Sequence, residues 1–339
     1  MPKISIVTPV LNGGKKFRKC IDSVLRQTFK DFEWIIVDDN SSDITKELLD
    51  RLRSLDKRVK VLRNRAVCEA SLSRGKGVEA CSGEYITFLD ADDAYTPHAL
   101  ERYIDAAKRR AADIYIIGSR LSLPLGFKHR YYSCERETNF CAGYMDGKQG
   151  CLLVLANKGL TPQLWDKMYS TAFFKSNIRT FPKLKIGEDF VVNIRLMANA
   201  NLICAVPGTG YLWSYTGMGD KYYLDNWNNY KTAMAYALRE LNSLNWDTDH
   251  IDMAHKALYT NYMDHINESV VRRRLHGDPE DSIITFILEA LDHEIITCTQ
   301  PFKAKTPSAQ DIIESAARHL REHRKYYIFT RIINRFLNL

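Results

Sequence analysis

No stretch of the 339-residue sequence approaches the roughly 18 uninterrupted apolar residues that a membrane span needs, so no transmembrane helix is expected. The first residues, MPKISIVTPV, lack a basic segment leading into a long apolar core, so no secretory leader is expected either. Eight cysteines (Cys20, Cys68, Cys81, Cys134, Cys141, Cys151, Cys204 and Cys298) are scattered without a CxxC pair and without histidines at ligand spacing. That pattern leaves no sequence-encoded zinc site and points to reduced thiols in a cytosolic protein. Hydrophobic residues at 45% and charged residues at 26% carry no signature of disorder. A glycine-rich phosphate cradle is missing too, because Asn12-Gly13-Gly14, after the first apolar run, is too short and wrongly spaced for one. Excess charge is scarce in the body of the chain. The formal net charge is +7, but Gln300 to Leu339 alone holds eight Lys or Arg against three Asp or Glu. A basic groove in the body is therefore not expected, nor a nucleic-acid partner.

What is present centres on Gly83 to Tyr95, GEYITFLDADDAY. The apolar run Tyr85 to Leu89 stops on Asp90, Asp92 and Asp93, as a buried strand would if it delivered acid groups to the end of a sheet. If the chain is still extended there, its two-residue period points Asp90 and Asp92 the same way, so one divalent cation could be held between them. Thr96-Pro97 reads as the N-cap and first residue of the next helix. A strand-end DxD on its own serves equally well to cap that helix and solvate a turn, so its surroundings decide.

Those surroundings alternate. Ile4 to Thr8 reads as a strand, Lys16 to Gln27 as a helix with Ile21, Val24 and Leu25 inward, and Trp34 to Val37 as a second strand running into Asp38-Asp39-Asn40-Ser41-Ser42-Asp43. Helices at Thr45 to Leu55 and Ala70 to Cys81 and strands at Val59 to Leu62 and Asp113 to Gly118 continue the pattern. The fold class this predicts is α/β, with a mostly parallel sheet flanked by helices and ligands outside the carboxyl ends of the strands. Both acidic clusters, Asp38-Asp39 and Asp90-Asp92, fall at such ends. Alone, Asp38-Asp39 would be read as an Asx turn capping the next helix. From Ser119 to Gly159 the pattern is irregular, and short strands or a flap are expected. From Asp225 onward it is helical, at Tyr230 to Leu241, His250 to Leu275, Asp281 to Ile295 and Ala309 to Phe336.

Five ordered blocks resemble those of bacterial family 2 glycosyltransferases with the GT-A (Rossmann-like) fold. They are SIVTPVLN, VDDNSSD, SRGKGVEACSGEYITFLDADD, WDKMYSTAFFKS at Trp165 to Ser176, and IGEDFVVNIRLMANA at Ile186 to Ala200. The resemblance implies a catalytic domain over 1–217, with a donor half of about 1–118 and an acceptor half of about 119–217, followed by a helical extension over 218–339. It implies an inverting transfer from a nucleotide-diphosphate sugar, UDP favoured, to a saccharide or lipid-linked saccharide in surface polysaccharide synthesis. Residue by residue, the backbone at Thr8, Pro9 and Val10 would floor the base pocket, and Asp39, with Asp38 behind it, would bind the nucleobase. Arg74 and Lys76 would contact the diphosphate. Asp90-Ala91-Asp92 would meet the ribose and a divalent metal, Mn²⁺ or Mg²⁺, with Asp92 as the chief ligand. Asp189 would be the catalytic base, with Glu188 beside it to orient the acceptor. Trp165 and Lys167 are weaker candidates for the acceptor site, and packing explains Trp165, Tyr211, Trp213 and Tyr215 equally well. Two departures are visible: Gly75 stands where members commonly carry Asn, and Ser214 stands nearest to where an Arg is often found.

The chemistry fits these residue types. A departing nucleoside diphosphate gathers negative charge that a carboxylate-held cation neutralises, and the attacking hydroxyl needs a base on the opposite side of the sugar. Two alternatives remain. A metal-dependent nucleotidyltransferase would want the missing glycine-rich segment; a non-catalytic sugar-nucleotide-binding scaffold would be expected to lack Asp92 or Asp189, and both are present. The last helix mixes Arg318, Arg321, Arg324, Lys325, Arg331 and Arg335 with Tyr326, Tyr327, Ile328, Phe329, Ile332 and Ile333. Such a helix suits an anionic surface at the inner face of the cytoplasmic membrane, a partner helix, or its own domain.

Overall fold

Strand β1 (Ile4–Val10, ISIVTPV) is apolar on both faces, so it is stable only in the middle of a sheet covered from both sides. It pairs in parallel with β2 (Phe32–Asp38) on one side and with β4 (Tyr85–Phe88) on the other, and β3 (Val59–Arg63) extends the sheet beyond β2. The computed structural model describes residues 1–122, 143–156, 160–214, 226–293, 295–296 and 307–322. The chain steps outward from β1 to β2 to β3 and then returns to the far side of β1 for β4. That reversal makes the β1/β4 border a topological switch point, where open α/β sheets leave room for a ligand beyond the strand ends.

Past β4 the order is β8 (Lys167–Ser170), β6 (Ile114–Ser122), β9 (Ile203–Ser214) and β5 (Ala94–Tyr95), with β7 (Tyr144–Met145) also on β9. β8 runs antiparallel between β4 and β6, while β6 and β9 pair in parallel. The long strands thus share one direction, and the reversed pieces β5, β7 and β8 are short. The sequence assigned no strand to β8, whose four residues KMYS carry a buried lysine and no alternation.

Helices cover both faces. α1 (Phe17–Leu25), α2 (Thr45–Leu55) and α4 (Ala99–Arg109) place Phe17, Val24, Leu49, Leu100 and Tyr103 against Ile4, Ile6, Trp34 and Ile36. Each such side chain contributes about 2 kcal/mol through the apolar area it removes from water. On the opposite face α3 (Ala70–Glu79) lies directly on β1. A Cβ at Gly77 would come within 2.5 Å of Val7, so glycine is what permits that approach. α6 (Thr171–Asn177) brings Phe174 to Phe88 and Tyr169 at ring distances of 5.6 and 5.2 Å. α5 (Gly147–Leu155) and α7 (Glu188–Asn199) pack on each other.

The chain divides into two units, Met1–Tyr215 and Thr216–Leu339. In the second, α8 (Trp227–Asn242), α9 (Thr248–His276), α10 (Glu280–Leu291) and α11 (Ala309–Glu322) pack around the long α9. Trp227, Tyr230, Tyr262 and Phe286 form its aromatic centre. Residues 323–339, which hold most of the expected basic and aromatic tail, lie outside the described residues. Among the described residues no helix is long and apolar enough to cross a membrane.

Candidate functional site

Two strand ends and one helix start carry the acids. Beyond β1 and β2 the chain turns through Asn12 and Asn40, both with positive φ (50° and 62°), a conformation that asparagine tolerates better than other side chains do. Asn12 Oδ1 accepts from the Ser42 amide, and the Asn12 amide donates to Ser41 Oγ, which ties the two turns together. Asp38 is wholly buried. Its Oδ1 accepts from the Ser41 amide at 3.0 Å and its Oδ2 lies 3.6 Å from Arg63 Nε, so it holds the turn and presents nothing to a ligand. Thr8 and Val10 point their side chains into the core, where Thr8 Oγ1 accepts the Trp34 indole N–H at 2.9 Å, and the Val10 carbonyl takes the Asp39 amide. At Thr8 and Val10 only backbone is left to face a ligand, and Pro9 is partly exposed.

Asp39 is 4% exposed. Its Oδ1 accepts from Asn64 Nδ2 at 2.8 Å, from the Cys68 amide at 2.9 Å and from the Cys68 thiol at 3.0 Å. Lys76, expected at the diphosphate, donates to the Arg63 carbonyl at 2.7 Å and to Asn64 Oδ1 at 2.9 Å. Its neighbour on α3 behaves differently. Arg74 is 6% exposed and spreads its guanidinium over three carboxylates: Asp90 Oδ1 at 2.9 Å, Glu188 Oε1 at 2.8 Å and Asp189 Oδ1 at 3.3 Å. Burial alone would favour the neutral form, but Asp189, Asp90 and Glu188 together hold the Arg74 pKa well above its ordinary value.

The two acids of α7 owe their position to Gly187, whose φ of 84° caps the helix in the left-handed region. Asp189 Oδ2 accepts from the Leu164 amide at 3.3 Å, and among the described residues its Oδ1 has no hydrogen-bond partner, only the ion pair to Arg74. Burial raises the Asp189 pKa. Burial and the charge of Asp189 push Glu188 to about 7. At the end of β4, burial and Asp90 raise Asp92, opposed by Lys16 and Lys19 of the α1 region. Asp93 is a structural acid: Tyr211 donates to its Oδ2 at 2.7 Å and the Ser214 amide to its Oδ1 at 2.6 Å, while burial, Asp90 and Asp92 push it up to about 8.

Asp90 and Asp189 therefore meet on one guanidinium, and Asp39 joins them through α3, because Ser73 Oγ receives Asn64 Nδ2 at 2.9 Å one residue before Arg74. Among the described residues no three His, Cys, Asp or Glu side chains form a ready cation cage. Asp90 and Asp92 still suit a divalent ion, since such an ion bound beside phosphates needs only one or two carboxylates, and the raised Asp92 pKa marks charge that lacks a full counter-ion.

Other residues sort differently. Lys167 is wholly buried and bonds Asp166 Oδ1, the Thr161 and Gln163 carbonyls and Thr161 Oγ1, so it shapes the 161–166 loop. Trp165, on that loop, stacks on Tyr211 at 4.2 Å, and Tyr211 Oη accepts the Asp90 amide. Gly75 leaves room for Phe181, 3.3 Å from where its Cβ would be. The sequence reading missed Asn64, Cys68, Lys16, Lys19 and the Leu164 amide. All lie outside the acidic blocks, and only contact in three dimensions reveals them.

A family model described as glycosyl transferase family 2 matches residues 5–141. The chain is 25% identical over 302 residues to the glycosyltransferase GlyG of Streptococcus pneumoniae serotype 4, covering 88% of this chain and 92% of that protein. It is 36% identical over 116 residues to a GalNAc(5)-diNAcBac-PP-undecaprenol beta-1,3-glucosyltransferase of Campylobacter jejuni, covering 34% of this chain and 38% of that protein. In three dimensions it is similar to TarS residues 1–349 of S. aureus in complex with UDP-GlcNAc, with a TM-score of 0.63, 17% identity and coverage of 96% of this chain and 92% of that one. It is also similar to the mannosyltransferase PcManGT of Pyrobaculum calidifontis in complex with GDP-Man and Mn²⁺, with a TM-score of 0.56, 13% identity and coverage of 93% and 86%.

Proposed function

For a chain that belongs to the bacterial family 2 glycosyltransferases through residues 5–141, we propose an inverting, metal-assisted transfer of a sugar from a UDP-sugar to a saccharide or lipid-linked saccharide of the cell surface. The observation that carries the reading is Arg74, which draws a strand-end acid, Asp90, and a helix-start acid, Asp189, to one point. TarS has been crystallised with UDP and with UDP-GlcNAc, and relatives are named for undecaprenol-linked and poly(ribitol-phosphate) acceptors, which favours this donor and acceptor class. The location proposed with it is the inner face of the cytoplasmic membrane.

In this reading Asp39 takes the N–H of the nucleobase against the backbone of Thr8 to Val10, and Asp90 meets the ribose. Asp92, with Asp90 beside it, would hold the divalent ion, which supplies positive charge for the departing diphosphate. Lys16 and Lys19 add positive charge near Asp92. Asp189 Oδ1 removes the proton from the acceptor hydroxyl as that oxygen attacks the anomeric carbon from the side away from the diphosphate. One C–O bond forms, the bond to the diphosphate breaks, and the configuration inverts without a covalent enzyme intermediate. Burial makes Asp189 a stronger base than an exposed carboxylate, and Arg74 keeps it ionised. Glu188, shared with Arg74, orients the hydroxyl. A thermal-shift series with UDP, CDP, GDP and UDP-sugars, with and without Mn²⁺, tests the proposal. UDP with Mn²⁺ should raise Tm most; no shift with any nucleotide would sink it.

A further inference from the structure

Resting on the assignment of Asp39 to the nucleobase, we infer that Asn64, locked by Lys76, is the positioning residue that aims this carboxylate. The side-chain amide of Asn64 can face only one way. Lys76 Nζ, which has no acceptor capacity, lies 2.9 Å from one amide atom, so that atom is the oxygen. The other is then the nitrogen, and its two hydrogens meet Asp39 Oδ1 at 2.8 Å and Ser73 Oγ at 2.9 Å, with Cys68 Sγ at 3.1 Å. Lys76 is in turn anchored on the Arg63 carbonyl, and the Asn64 amide on the Asp38 carbonyl at 2.9 Å, so the lock is built on the end of β3.

The result is an asymmetric carboxylate. Asp39 Oδ1 is saturated by Asn64, the Cys68 amide and the Cys68 thiol, while among the described residues Oδ2 receives only the Cys68 amide, at 3.1 Å. Oδ2 therefore keeps acceptor capacity for one ring N–H, and at 4% exposure the group has no room to turn. A base with an N–H beside a carbonyl, as in uracil, satisfies that oxygen. One that presents an unprotonated ring nitrogen there, as in cytosine, faces lone-pair repulsion. Lys76 thus acts on the base side through Asn64 and not on the phosphates.

Calorimetric titration of the full chain with UDP, CDP and inorganic pyrophosphate in Mn²⁺ separates the two roles of Lys76. In Asn64→Asp, which turns a donor into a second acceptor, and in Lys76→Met, UDP affinity should fall about tenfold and the UDP-over-CDP preference should narrow. Pyrophosphate affinity should stay within about twofold, and Lys76→Arg should recover most of the UDP affinity. A donor KM that rises while kcat holds gives the same answer in turnover. If Lys76→Met loses pyrophosphate and UDP together, Lys76 is a phosphate contact and the inference is overturned. It is overturned equally if both variants bind UDP as the wild type does. A wild-type chain that binds no UDP, by contrast, removes the underlying function.

Discussion

Arg74 donates to Glu188 across 2.8 Å, although 114 residues separate them in the chain. The bond joins the helix behind β1 to the helix that offers the proposed base, and it leaves a buried guanidinium serving three acids at once. Removing the cation leaves Asp90, Glu188 and Asp189 crowded without a counter-charge. Arg74→Ala should therefore destabilise the first unit by about 3 to 5 kcal/mol, the range found when one partner of a buried ion pair is deleted. Arg74→Lys should recover only part of this, because one ammonium cannot fork to Asp90 and Glu188 together. Urea unfolding of the three proteins measures both, and a loss below about 1 kcal/mol for Arg74→Ala contradicts the buried network.

Asp189→Asn keeps the volume and the contact to the Leu164 amide but cannot take a proton. Transfer should fall by about a hundred- to ten-thousandfold, while UDP-sugar affinity stays within about twofold. Initial rates and equilibrium binding on the same preparation separate the two effects. Transfer at wild-type level would assign the base elsewhere.

Asp92 is pushed up by burial and by Asp90, so a bound cation gains from it and an Ala loses that gain. Asp92→Ala should abolish the difference between UDP binding in Mn²⁺ and in EDTA, leaving the weaker, metal-free affinity. A variant that still responds to Mn²⁺ as the wild type does rules out Asp92 as a ligand.

Much of the fold was legible in the sequence, for physical reasons. The apolar runs of β1, β2 and β4 cannot be stable outside a covered sheet, and each hands its chain to acids or turn residues at the carboxyl edge. In the second unit Trp227–Asn242, Thr248–His276 and Glu280–Leu291 fall where the sequence reads as helical. β8 was not legible, because its strand character comes from pairing with β4 and β6 and not from its own four residues. Nor was the fate of Lys76 and Lys167. A lysine reads as exposed charge, yet one spends its ammonium on Asn64 and the other is wholly enclosed by the 161–166 loop. Hydrogen bonds between a strand end and a helix are long-range facts that local pattern does not encode.

The second unit carries its own pH dependence. His265 stacks on Tyr230 at 4.0 Å, and burial lowers its pKa from 6.5 to about 4, against the opposing pull of the Asn261 carbonyl and Glu268. The folded state thus resists a proton that the unfolded chain accepts below 6.5. Stability should be at its full value above that pH and decline as pH falls toward 4, by roughly 2 kcal/mol once the half-buried position of the residue is allowed for. Replacing the imidazole with a group that does not titrate removes this component. His265→Gln should lower stability at pH 7, since the ring packing is lost, yet flatten the acid limb between pH 6.5 and pH 4. Chemical unfolding at a series of pH values compares the slopes. An acid limb as steep in the variant as in the wild type would show that other groups produce it.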